Sequence, residues 1–181
     1  MASALITLQI LATLLLLYPP VSGWRAAGTQ WGTLEMKQAV AHHILTAFPG
    51  LVLAVFAHAM SLFYFIGTGR TVKDARKDYP EIVTEADVAE TVRFKRLTSG
   101  LFTFAIFGMI AAPVSGGPLL VQVGGPETGW LRLHLVIVTG VLLLQLFTAF
   151  RAITTIAANV RLLQAIDGRF EGTGAERPAA H

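Results

Sequence analysis

Cysteine is absent from all 181 residues. Disulfides, thiolate-bound zinc, iron–sulfur clusters, thioether-linked haem and thiol nucleophiles are therefore excluded within this chain. Charge is scarce: Asp, Glu, Lys and Arg make up 14% of the residues, against about 25% in an ordinary soluble domain. Acidic residues are missing altogether from the long apolar runs, which argues against a carboxylate proton relay or cation path within them. The sequence holds no Ser-His-Asp set, no HExxH helix and no pair of carboxylates suited to acid–base work. The segment "GTGR" at 67–70 follows a helix and lacks the Lys-Ser/Thr pair of a phosphate loop, so nucleotide binding is rejected. No internal repeat is evident.

What the chain has in plenty is apolar sequence, 54% of its residues, gathered in blocks. A helix needs about 20 apolar residues to cross the hydrocarbon core of a bilayer. Four stretches meet or approach that length, at about 2–18, 39–67, 97–114 and 130–150. The expected fold is all-α, an integral membrane four-helix bundle over residues 1–168, with a helical extension between helices 2 and 3 and a flexible tail over 169–181. The first span ends at Pro19-Pro20. No Lys or Arg precedes it, so it reads as a retained helix rather than a secretory signal. The second exceeds the minimum length, and a tilt or a kink at Pro49-Gly50 is expected. Pro113 and Gly116-Gly117-Pro118 are expected to break the third, leaving Leu119-Leu120-Val121 to finish the crossing or lie in the interface. The fourth should continue as a helix to Leu163.

Lys and Arg set the expected orientation. Arg70, Lys73, Arg76, Lys77, Arg93, Lys95 and Arg96 lie between spans two and three, and Arg151, Arg161, Arg169 and Arg177 follow span four. Only Arg25, Lys37 and Arg132 lie on the other side. Both termini are therefore expected to be cytoplasmic, in what reads as a bacterial cytoplasmic membrane. Trp24, Trp31 and Trp130 fall on the outer side, where indoles favour the headgroup layer. The net charge of +3 reads as this orienting signal, not as a nucleic-acid footprint. Within the cytoplasmic loop, Thr84 is a candidate N-cap, with Glu85 and Asp87 in the first turn that follows.

Three of the five histidines lie in the second apolar run, His42, His43 and His58, and a fourth, His134, lies in the last. His43 and His134 each sit about four residues inside a span that runs inward. Both are then roughly 6 Å below the outer boundary, and on neighbouring helices they can face each other at matched depth. Two facing imidazoles can serve as the two axial ligands of a haem iron. Copper or zinc would use the same nitrogens and want a third or fourth ligand; His42 can supply one or turn outward. His58 lies about 22 Å further along the helix than His43, the separation of two haems stacked across a membrane. Its partner would be Met109 on span three or a residue of another subunit. The competing reading is structural, with imidazoles near helix ends bonding headgroups or water, and His58 bonding a carbonyl or serine on a neighbouring helix.

Tyr64, Arg70 and Arg151 gather at the cytoplasmic end and suit a quinone headgroup or a lipid phosphate, although aromatic and basic residues there are also ordinary anchors. Gly100, Gly108, Gly140 and Ala149 should permit close helix packing, and Gln9 and Gln145 can bridge helices. His181 falls in the tail and is given no role.

In helix count and histidine placement the chain resembles the small membrane cytochromes b that anchor respiratory or photosynthetic enzymes and, as loosely, copper-resistance-type membrane proteins. The first likeness implies a membrane subunit of an electron-transfer complex. It would hold b-type haem between helices 2 and 4, exchange electrons with quinone, and be a non-catalytic subunit rather than an enzyme in itself. The alternatives are a cofactor-free accessory subunit packed against other membrane proteins and a metal-handling membrane protein.

Overall fold

The computed structural model describes residues 1–30, 32–121 and 128–174; Trp31, His181 and the rest of 175–181 lie outside the described residues. Among those residues every regular element is a helix: α1 (Ala2–Leu17), α2 (Pro19–Ala27), α3 (Leu34–Asp78), α4 (Glu85–Val121) and α5 (Thr128–Thr173). Only Tyr18 separates α1 from α2, so the chain turns into a second helical segment at Pro19-Pro20 instead of leaving the helix there. Proline is well suited to this place, because the first turn of a helix needs no donor from it. Four helical stretches are long and apolar enough to cross a membrane.

These four pack in the cyclic order α1, α3, α4, α5, so that α3 and α5 lie diagonally across the bundle. Their outward faces carry Phe48, Phe56, Phe104, Phe107, Phe147 and Phe150, each more than half exposed. Such a surface suits lipid, where water would penalise it. Inside, Leu5, Phe65, Phe102 and Ile156 form one buried cluster, and Ala12, Leu16, Ala54, Ala57 and Met109 form another. Glycine makes the closest helix approaches. A Cβ at Gly50 would lie 3.1 Å from Leu16, and one at Gly108 would lie 3.1 Å from Val141. Gly100 and Gly140, expected at helix contacts, have nothing within 4 Å of a built Cβ and face outward. Gln9 and Gln145 do bridge helices, both through His58.

The break expected at Pro113 does not occur: α4 runs through it to Val121. α3 likewise continues as a helix through Pro49, where a tilt or kink was expected. A proline removes one backbone hydrogen bond, and a helix held on several sides by other helices tolerates that loss. α5 also outruns its expected end at Leu163 by ten residues. Ile166 and Phe170 account for this. They are buried with Val72, Ala75, Ile82 and Val83, a second core beyond the apolar spans. Residues 169–173 thus belong to the helix and not to the tail.

At 45 residues, α3 is roughly 67 Å long, about twice the hydrocarbon thickness. It begins at Thr33, whose Oγ1 accepts from the Met36 N–H at 3.2 Å, and its basic end projects past the membrane-length segment together with α4 and α5.

A reciprocal cap holds this projecting end. Asp87 Oδ2 accepts from the Thr84 N–H at 2.7 Å, and Thr84 Oγ1 accepts from the Asp87 N–H at 3.3 Å. The same carboxylate oxygen accepts from Arg169 Nη2 at 2.7 Å, tying α5 to the start of α4. Burial pushes the Asp87 carboxyl up, and the Thr84 hydrogen bonds with the Arg169 bond and charge outweigh that push, so its pKa is lowered. A depressed folded-state pKa means that this stabilisation is fully present above the unfolded value of about 3.9 and is lost as pH falls through the folded value. As pH falls below about 4, the protection of residues 166–173 against hydrogen exchange, taken relative to the intrinsic exchange rate at each pH, is therefore expected to drop. Asp87→Asn should remove most of that pH dependence and give faster exchange already at pH 7.

Candidate functional site

Ser22 and Ser115 each sit one turn beyond a carbonyl to which their hydroxyls donate, Ser22 to Pro19 O at 2.9 Å and Ser115 to Ala112 O at 2.7 Å. A hydroxyl whose proton is committed to its own helix offers only lone pairs to a neighbour. Across from them stand two imidazoles. His43 Nδ1 lies 3.1 Å from Ser22 Oγ and 3.1 Å from Pro19 O, and His134 Nδ1 lies 2.9 Å from Ser115 Oγ. Pro19 O can only accept, so His43 carries its proton on Nδ1 and leaves Nε2 as a lone pair; His134 takes the same tautomer when the Ser115 proton stays on Ala112 O. Among the described residues, neither Nε2 has a hydrogen-bond partner. This is the tautomer of a metal-ligating histidine, oriented through its other nitrogen by an oxygen.

The two rings meet across the bundle's centre, with centroids 6.5 Å apart and planes at 87°. The sequence allowed them to face each other if their helices were neighbours; they come from the diagonal pair α3 and α5, which brings them together from opposite sides. A metal bonded at about 2.0–2.1 Å by one nitrogen of each of two opposed imidazoles sets their centroids roughly 6.3 Å apart. The observed centroid spacing is close to this, and it is also the spacing of an edge-to-face ring contact. Both rings are half-buried, as suits a group held between helices near the end of a bundle.

Among the described residues no third His, Asp, Glu or Cys side chain joins them. His42 is exposed and turned aside, its Nε2 3.1 Å from the Tyr18 hydroxyl. Among the described residues no group of three or more His, Asp, Glu or Cys side chains converges to hold a metal ion. Two nitrogens on opposite sides fall short of a zinc or copper set and suffice for an iron whose remaining four ligands come from a macrocycle.

His58, fully buried, occupies a different environment. Its Nε2 donates to Gln145 Oε1 at 2.7 Å, and its Nδ1, 3.3 Å from Gln9 Nε2, is left to accept. Gln9 Nε2 also donates to Ser61 Oγ, and Gln145 Nε2 donates to Thr13 Oγ1. The ring stacks on Phe102, with centroids 5.3 Å apart. Both nitrogens are thus engaged with side chains. Met109 lies in the cluster of Ala12, Leu16, Ala54 and Ala57, and the structure does not assemble it with His58 as a pair of ligands.

The three residues considered for a quinone sit in different surroundings. Tyr64 is buried, and its hydroxyl accepts from Asn159 Nδ2 at 3.0 Å. Arg70 is exposed and pairs loosely with Asp74, and Arg151 is half-buried. Asn159 escaped the sequence reading because one amide in a helix with a polar face carries no signal of its own. Ser22 and Ser115 escaped it too, although a signal was present: Pro-Val-Ser-Gly occurs twice, at 20–23 and at 113–116. Comparison with protein-family models, with curated proteins and with solved structures finds no match.

Proposed function

We propose that this chain is a membrane subunit of an electron-transfer complex and that His43 and His134 hold one b-type haem between them. The observation that carries the reading is the pair of imidazoles 6.5 Å apart, each with its Nδ1 proton held by an oxygen and its Nε2 free. When bound, the haem supplies a reversible one-electron iron couple. The chain's own residues hold the two ligand rings in register from opposite helices, fix their tautomer through Pro19, Ser22 and Ser115, and limit the access of water.

The bundle is proposed to lie with its basic end in the cytoplasm and its histidine end outward, with both termini inside, on the strength of the Lys and Arg asymmetry. Electron exchange with quinone, or with a cofactor of an adjoining subunit, belongs to the same proposal, without a pocket made by Tyr64, Arg70 and Arg151. A second reading, a cofactor-free accessory subunit, is favoured by the edge-to-face contact of the two rings, which is also a stable way to pack imidazoles.

The visible spectrum of the purified full-length chain separates the two. The haem reading expects sharp bands on reduction with dithionite and about one haem per chain. A colourless protein, still folded and still colourless after incubation with haemin, leaves the accessory reading.

A further inference from the structure

The repeated Pro-Val-Ser-Gly is the visible trace of a larger order. Ser115 follows Ser22 by 93 positions, and at that offset each buried residue from 5 to 19 has a buried counterpart from 98 to 112: Gln9 with Phe102, Ala12 with Ala105, Leu16 with Met109. His134 follows His43 by 91 positions, and at that offset each buried residue from 54 to 65 has a buried counterpart from 145 to 156: Ala57 with Thr148, Ser61 with Ala152, Phe65 with Ile156. The two burial patterns agree one to one in both stretches. The packing order agrees as well, since α1 lies on α3 as α4 lies on α5, and α3 lies on α4 as α5 lies on α1. A half-turn about an axis along the bundle exchanges the two halves, the arrangement of a parallel repeat.

The glycines of the tetrapeptides obey the same relation. A Cβ at Gly23 would lie 3.0 Å from His43 Cε1, and a Cβ at Gly116 would lie 3.1 Å from His134 Cε1. Each imidazole is therefore flush against a bare backbone, with a serine oxygen beside it accepting a hydrogen bond from Nδ1.

We infer that the chain is two copies of one helical-pair unit. In each copy Pro-Val-Ser-Gly is the seat of a ligand histidine, Ser22–Gly23 for His43 and Ser115–Gly116 for His134. The group on the axis meets the same face twice, as a flat iron macrocycle with two equal axial positions does; this part rests on the haem reading. Ser22, Gly23, Ser115 and Gly116 are positioning residues that act through the imidazoles. The seats differ in one respect: His43 Nδ1 has Pro19 O as a second acceptor, whereas among the described residues His134 Nδ1 has Ser115 alone. The His58 group has no twin, because the counterparts of Gln9, His58 and Gln145 are Phe102, Ala149 and Ala54.

The test uses the full-length chain, reduced, with ¹⁵N-labelled histidine. His43 and His134 are expected to carry their proton on Nδ1, and His58 on Nε2. Gly23→Ala and Gly116→Ala should each weaken haem retention by a similar factor, about tenfold, while Gly100→Ala and Gly140→Ala leave it unchanged. Ser115→Ala should weaken retention more than Ser22→Ala, and Ser115→Thr should restore it. Opposite tautomers for His43 and His134, or a loss confined to one of Gly23→Ala and Gly116→Ala, would overturn the two-seat inference. If no haem is bound, the tautomers still decide it, and the haem reading fails separately.

Discussion

Replacement of His134 by alanine is expected to remove the haem from the purified protein, lowering its content more than tenfold while the helices stay folded. The reason is geometric. His134 is the single ring that α5 presents to His43, at 6.5 Å between centroids, and no third His, Asp or Glu stands near to take its place among the described residues. An iron left with one imidazole would be held from one side only, and Ser115 then has no ring to orient. His43→Ala should give the same loss, because the two rings face each other from equivalent seats on α3 and α5. His42→Ala should give none, because that ring is exposed and tied to Tyr18. Haem content per chain and the reduced spectrum read all three variants.

The second large effect concerns stability and not haem. His58→Leu should destabilise the bundle by about 2–4 kcal/mol, as expected when buried hydrogen-bonding groups lose their partner. His58 binds Gln145 of α5 at 2.7 Å and Gln9 of α1 at 3.3 Å, and all three side chains are fully buried. Leucine fills much of the space and satisfies neither glutamine. Gln9 Oε1 already lacks a partner, so the group has no spare bond to redistribute. Unfolding in mixed micelles measures the loss. The haem bands of His58→Leu should keep their shape and position, since that ring lies about 15 residues along α3 from His43. A variant that folds normally and loses its haem would instead place a ligand at His58.

The residues explain which parts of this could be read from the sequence. Apolar run length marks the crossing helices because each run must be long enough for a bilayer, and Thr84 with Asp87 three residues on is a cap that can be recognised without coordinates. The matched depth of His43 and His134 follows from counting along two helices. Their diagonal placement does not, because it depends on which helices touch. Pro113 misled for a related reason: a lost hydrogen bond is local, and the packing that tolerates it is not. Ile166 and Phe170 reveal the true end of α5 only once α3 stands beside them. The internal repeat was hidden because what recurs is burial and not residue identity. Gln9 answers to Phe102 and Ser61 to Ala152, leaving four identical residues and two histidines as the surface sign of it.

The central claim is that two imidazoles with nearly perpendicular planes clasp one iron. Low-temperature electron paramagnetic resonance of the oxidised full-length protein tests it most directly. Bis-imidazole ligation with planes at 87° predicts a strongly anisotropic low-spin ferric signal that disappears in His134→Ala. A high-spin signal, or no haem iron at all in a folded preparation given haemin, would contradict the account.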